Sequence, residues 1–158
     1  VTATSSPDGI TWTARSLPNP GSMSWSSIAY GTGTFVVTNG FGGNTGAATS
    51  TNGTTWTLRT APTNTYQDIA WGEGNRFVVV QNGSVGAWTP DGITWTTTTM
   101  PASTYWRSVT HANSLYVALS QTDGGGVGTS SDGITWTART IFSASPAFWT
   151  NVQGGPVA

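Results

Sequence analysis

Acid–base chemistry and charge recognition have few carriers in this sequence: six carboxylates, one histidine and five arginines among 158 residues, with no lysine and no cysteine. Three carboxylates, Asp8, Asp91 and Asp132, share one repeated position with Asn52, at spacings of 44, 39 and 41 residues. The amide at Asn52 is informative, because catalysis or metal binding needs a charge there and a turn does not. Glu73 is the one glutamate, so no Glu pair can serve glycoside hydrolysis. Asp68 and Asp123 match nothing in the repeat, and two scattered acids do not compose a site. A lone His111 cannot build a multi-histidine metal centre, and it stands where the aligned repeats carry Tyr30 and Trp71, a packing position. Asp123-Gly124-Gly125-Gly126 lacks the Lys-Ser/Thr of a phosphate loop. The absence of cysteine removes thiolate metal sites and disulfides. The expectation is therefore a chain that is not an enzyme, with no catalytic residues, cofactor or metal.

The elements that must position these residues are repetitive. Four copies of one phrase recur: Ser6-Pro7-Asp8-Gly9-Ile10-Thr11-Trp12, Ser50 to Trp56, Thr89 to Trp95 and Ser130 to Trp136. Asp-Gly or Asn-Gly between two β-prone runs is a strong hairpin signal, because the turn needs positive φ. The Ser/Thr hydroxyl and the Asp/Asn oxygen can accept the turn's own amides. Thr-Trp-Thr runs follow, alternating with the period of a half-buried strand, which predicts that Trp12, Trp56, Trp95 and Trp136 plug their hairpins. Between the phrases, residues 25–37, 66–79 and 106–118 align as strand, tight turn, strand. A short third strand then leads into each phrase. Four antiparallel strands per forty-odd residues make the blade of a β-propeller.

Ser/Thr-x-Asp-Gly-x-Thr-Trp resembles the Asp-box of sialidase-type and sortilin-type propellers, one residue shorter than the usual form. With its Phe-Val-Val strands, the chain is similar to propeller repeats of phage structural proteins and bacterial surface proteins. The resemblance implies an all-β propeller of four-stranded antiparallel blades. It also implies that the box lies away from the binding face, so that Asp8, Asn52, Asp91 and Asp132 are structural. A sialidase would need an arginine triad and a Tyr–Glu pair. Here Arg15, Arg59 and Arg139 instead share one repeated place on outer strands.

Counting strands predicts a single domain over residues 1–158, with blades at about 24–59, 66–99 and 105–140 and a split blade from 1–15 and 148–158. The split blade lacks its second strand, giving about four blade-equivalents. Three arrangements follow from this: four blades close alone, copies complete a larger ring, or the sequence is a segment of a longer repetitive protein. Open β-edges are normally paired by something, so the expected partners are other copies or other structural proteins.

The loops joining strands two to three and blade to blade share one face. The ligand-binding candidates there are Phe41, Asn44, Asn82, Trp88, Tyr105 and Asp123, which either break the repeat or place amides beside aromatics. Such pairs suit neutral sugars, through hydroxyls and ring stacking. The column Trp25, Tyr66, Trp106, Trp149 recurs in every copy and reads as packing. A net charge of −1 leaves no footprint for nucleic acid, and no run of eighteen apolar residues offers membrane insertion. With 7% charged residues and a Thr/Ser/Gly/Asn-rich surface, the composition leans to an extracellular or virion location. Two functions follow: a structural or adhesive display scaffold, or a lectin with several sugar pockets. The loops differ between blades, which favours the scaffold.

Overall fold

The structure, a computed structural model, describes residues 2–19, 21, 23–41, 46–62, 65–121, 126–140 and 152–153. All its regular elements are strands: β1 (Thr2–Ser5), β2 (Thr13–Ser16), β3 (Ser24–Gly31), β4 (Thr34–Phe41), β5 (Ala47–Ser50), β6 (Thr57–Arg59), β7 (Tyr66–Gly72), β8 (Arg76–Thr89), β9 (Thr96–Ala112), β10 (Leu115–Ser120), β11 (Gly126–Ser130) and β12 (Thr137–Thr140). Every ladder is antiparallel. They form a four-stranded sheet β3-β4-β5-β6, a six-stranded sheet β12-β11-β10-β9-β8-β7 and a two-stranded hairpin β1-β2.

Local chemistry accounts for the turns. The four phrase glycines, Gly9, Gly53, Gly92 and Gly133, all have φ between 70° and 74°, where a Cβ is disfavoured. The β3–β4 hairpin turns on Thr32 and Gly33 at φ 46° and 76°, the two positive values of a type I′ turn.

The six-stranded sheet departs from the expected separate blades. β8 pairs β7 through Arg76 to Gln81, and pairs β9 through Val85 to Trp88. Gly83, at φ 99°, marks the register shift between the halves. The two units then fuse because Asn82 and Gly83 pair Tyr105 and Thr104. Residues expected as loop, Asn82 and Pro101 to Tyr105, are strand instead, since neighbouring backbones offer hydrogen-bond partners that a loop would seek from water.

Packing runs between successive units. Val36 of β4 joins Tyr66, Ile69, Phe77 and Val79 of β7 and β8 in one cluster. Val78 and Val80 of β8 join Trp106, Val109, Tyr116 and Ala118 of β9 and β10 in the next. A smaller cluster of Leu17, Val37 and Ala48 ties the N-terminal hairpin to the first four-stranded unit. The aligned glycines at the ends of β3 and β7 seat rings: a Cβ on Gly31 would stand 2.0 Å from the Trp71 ring, and one on Gly72 2.1 Å from His111.

One expectation about the hairpin plugs needs correcting. Trp56, Trp95 and Trp136 pack against the clusters, but Trp12 is 60% exposed. Among the described residues β1 and β2 have no further strand of their own unit, so Trp12 has no sheet face to close. The expected strand over residues 148–155 lies outside the described residues apart from Val152 and Gln153.

Candidate functional site

In each repeated turn the Asp or Asn Oδ1 receives two amides. Asp91 takes those of Ile93 and Thr94, both at 2.8 Å, and Asn52 takes those of Thr54 and Thr55, both at 2.9 Å. The Ser/Thr hydroxyl before it accepts the glycine amide and donates to the same carboxylate or amide oxygen, as Thr89 does at 2.9 and 3.0 Å. Asp8 and Asp132 repeat the pattern. The turn amides of Thr11 and Ile10, with the Ser6 hydroxyl, hold the Asp8 carboxyl down at about 2. Partial burial pushes Asp91 and Asp132 up. Their turn amides and hydroxyls outweigh it, and both stay below the ordinary carboxylate value. One oxygen of each side chain, Oδ1, is thus already engaged by its own turn.

Arg15, Arg59 and Arg139 are a second repeated device. Each Nε donates at 2.9 Å to a hydroxyl on the neighbouring strand: Ser5, Thr49 and Thr129 respectively.

The ligand candidates part company. Phe41 ends β4 and is 76% exposed, and Tyr105 on β9 is 58% exposed. Tyr105 pairs directly with Asn82, itself exposed, so an open ring and an amide are neighbours across a ladder. Beside them Arg107 donates to Gln67 Oε1 at 2.6 Å. Trp88, expected at the binding face, is half-buried against the second-to-third unit cluster. The Arg76 guanidinium lies 4.9 Å over its ring and also donates to the Asp132 carbonyl, so Trp88 fills an inter-unit gap that Ala48 and Gly128 leave to other groups. Asn44 and Asp123 lie outside the described residues.

Sequence reasoning passed over Asp68. Its Oδ1 accepts the Ser27 hydroxyl at 2.6 Å and the Ile69 amide at 2.9 Å. Its Oδ2 accepts the Ser108 hydroxyl at 2.9 Å and the Val109 amide at 3.0 Å. One carboxylate therefore ties β3, β7 and β9 together. The Ser108 hydroxyl extends the chain of bonds by accepting the Val152 amide at 3.1 Å. The signal was present in the alignment: Ser27, Asp68, Ser108 and Asn151 share one position and only one is charged. His111 packs 4.6 Å from Tyr116 and accepts the Glu73 amide on Nε2 at 3.2 Å.

No protein-family model and no curated protein matches the sequence. Solved structures do. Virginiamycin B lyase from Staphylococcus aureus superposes with a TM-score of 0.76 at 16% identity, over 95% of this chain and 51% of that one. YCF48 bound to D1 peptide superposes with a TM-score of 0.65 at 16% identity, over 87% of this chain and 46% of that one. The fold is that of a β-propeller. The chain spans about half the length of these two propellers. The lyase corrects one expectation. The sequence was read as that of a non-enzyme, yet the fold it shares is one that carries an enzyme. Missing a Glu pair or an arginine triad removes particular chemistries, whereas a propeller hosts activity in sites that differ from one protein to the next.

Proposed function

We propose that this chain is an Asp-box propeller of about four blade-equivalents that serves as a display or attachment scaffold on a virion or cell surface. It contacts other structural proteins or other copies through the surfaces that carry Phe41, Asn82 and Tyr105. The observation that carries this reading is the exposure of Phe41 and Tyr105, at 76% and 58%, on a body whose repeated turns satisfy their own polar groups. Aromatic rings are enriched at interface cores and among binding hot spots. YCF48 is seen bound to a peptide, which supports protein contact as a use of this fold.

A carbohydrate-binding role is the second reading, favoured by Asn82 standing opposite Tyr105. An amide beside a ring offers hydrogen bonds to hydroxyls and a stacking face to a sugar.

A glycan array run beside mass photometry on the purified chain separates the two. The scaffold reading expects no selective glycan and particles above monomer mass that Phe41→Ala with Tyr105→Ala disperses. Selective retention of a neutral glycan, lost in Tyr105→Ala, would transfer the assignment to sugar binding.

A further inference from the structure

Asparagine followed by glycine occurs three times in this chain, at Asn39-Gly40, Asn52-Gly53 and Asn82-Gly83. The dipeptide carries its own chemistry. Glycine has no Cβ to shield its amide nitrogen or to restrict its backbone, so that nitrogen can reach the carboxamide carbon of the asparagine before it. Unfolded, the three steps share this reactivity. Folded, they are held differently.

Two of the three are clamped. Asn39 is fully buried, and its Oδ1 accepts the amides of Ser24 at 3.1 Å and Phe41 at 3.2 Å. Asn52 Oδ1 accepts the amides of Thr54 and Thr55, both at 2.9 Å. The Gly53 amide that would attack it donates at 2.9 Å to the Ser50 hydroxyl. Electrophile and nucleophile of that turn are both engaged. Asn82, by contrast, is exposed, and its carboxamide has no hydrogen-bond partner among the described residues. Gly83 stands at φ 99° where the β8–β9 register shifts, with open space around the position of a Cβ.

We propose that Asn82 is a deamidation site, at which the chain converts its own asparagine to aspartate and isoaspartate while Asn39 and Asn52 are spared. The Gly83 nitrogen bonds to Asn82 Cγ and closes a five-membered succinimide. The side-chain nitrogen leaves as ammonia, taking up the glycine amide proton. Solvent water then opens the ring. Breaking the new bond to Cγ yields aspartate. Breaking the bond to the main-chain carbonyl carbon yields isoaspartate, with one extra methylene in the backbone. Nothing is oxidised or reduced. Both products put a carboxylate opposite Tyr105, and isoaspartate lengthens β8 where Asn82 and Gly83 join the second unit to the third. The inference goes beyond the scaffold reading and needs no ligand or partner.

The whole folded chain is kept at mildly alkaline pH and physiological temperature, beside a sample unfolded in urea. Peptide mapping by mass spectrometry follows each Asn-Gly step, and enzymatic methylation reads isoaspartate. Similar rates at the three steps are expected in urea. In the folded chain Asn82 should react at least roughly tenfold faster than Asn39 or Asn52, whose hydrogen bonds must open first. Asn82→Gln, whose longer side chain disfavours the ring, should remove the isoaspartate label from the folded chain. Three results would overturn the proposal. The first is equal rates at the three steps in the folded chain. The second is Asn82 intact when folded yet reactive in urea, meaning that the β8–β9 ladder guards it. The third is a label that persists in full in Asn82→Gln, which would place the reactive step elsewhere.

Discussion

At the residue scale, one oxygen organises each repeated turn, and its charge is secondary to its position. Asn52 Oδ1 receives its two amides at 2.9 Å, against 2.8 Å for Asp91. Asp91→Ala should therefore cost about 0.5–2 kcal/mol, as loss of a capping acceptor does, and Asp91→Asn much less. Thermal melts of the two variants at neutral pH check the difference. Acid provides an independent check. The carboxyls of Asp8, Asp91 and Asp132 are held below the ordinary value of 3.8, with Asp8 at about 2. A depressed folded-state pKa means that the unfolded chain binds protons first. Stability from these groups is then complete above the unfolded pKa and declines as pH falls from about 4 toward 2. Urea midpoints measured down this range should drop, and Asp91→Asn with Asp132→Asn should flatten the drop.

Individual strands are ordinary; what makes them a propeller is how one unit's end receives the next unit's ring. Trp71 sits on Gly31 and His111 on Gly72, each too close for any Cβ. Gly72→Ala must push the imidazole away from Tyr116 or part the strands, and overpacking of this kind costs about 1–3 kcal/mol. Chemical denaturation should show that loss. Gly83→Ala makes a useful contrast, since nothing stands near its Cβ and only its φ of 99° resists the change. The same scale explains Trp88. Its indole fills space at the junction of the second and third units under Arg76, so its departure from the Ala48 and Gly128 pattern reflects packing.

Across the whole molecule, Asp68 ties three units together. It accepts from Ser27 on β3, from its neighbour Ile69 on β7, and from Ser108 and Val109 on β9. Asp68→Ala removes the acceptor of four hydrogen bonds and should cost about 1–3 kcal/mol. If the network acts as a unit, a double-mutant cycle with Ser27→Ala should be non-additive by about 0.5 kcal/mol or more. Additive losses in equilibrium unfolding would show two independent surface bonds instead.

Turn chemistry and strand alternation were legible from the sequence because they depend on residues two to five positions apart. Asp91 reaches Thr94, and Gly92 carries its own positive φ wherever the turn is placed. The all-β class and the repeated turns therefore read out. Tertiary structure decided everything that depends on a neighbour about forty residues away. Ile28 and Ile69 are the same residue in the same strand position, yet one is open and the other buried. Trp12 and Trp56 end the same phrase and differ likewise. Asn82 and Tyr105 looked like loop residues until their backbones found each other. Burial and pairing belong to the contact between units, and a repeat spells each unit alike whatever stands beside it.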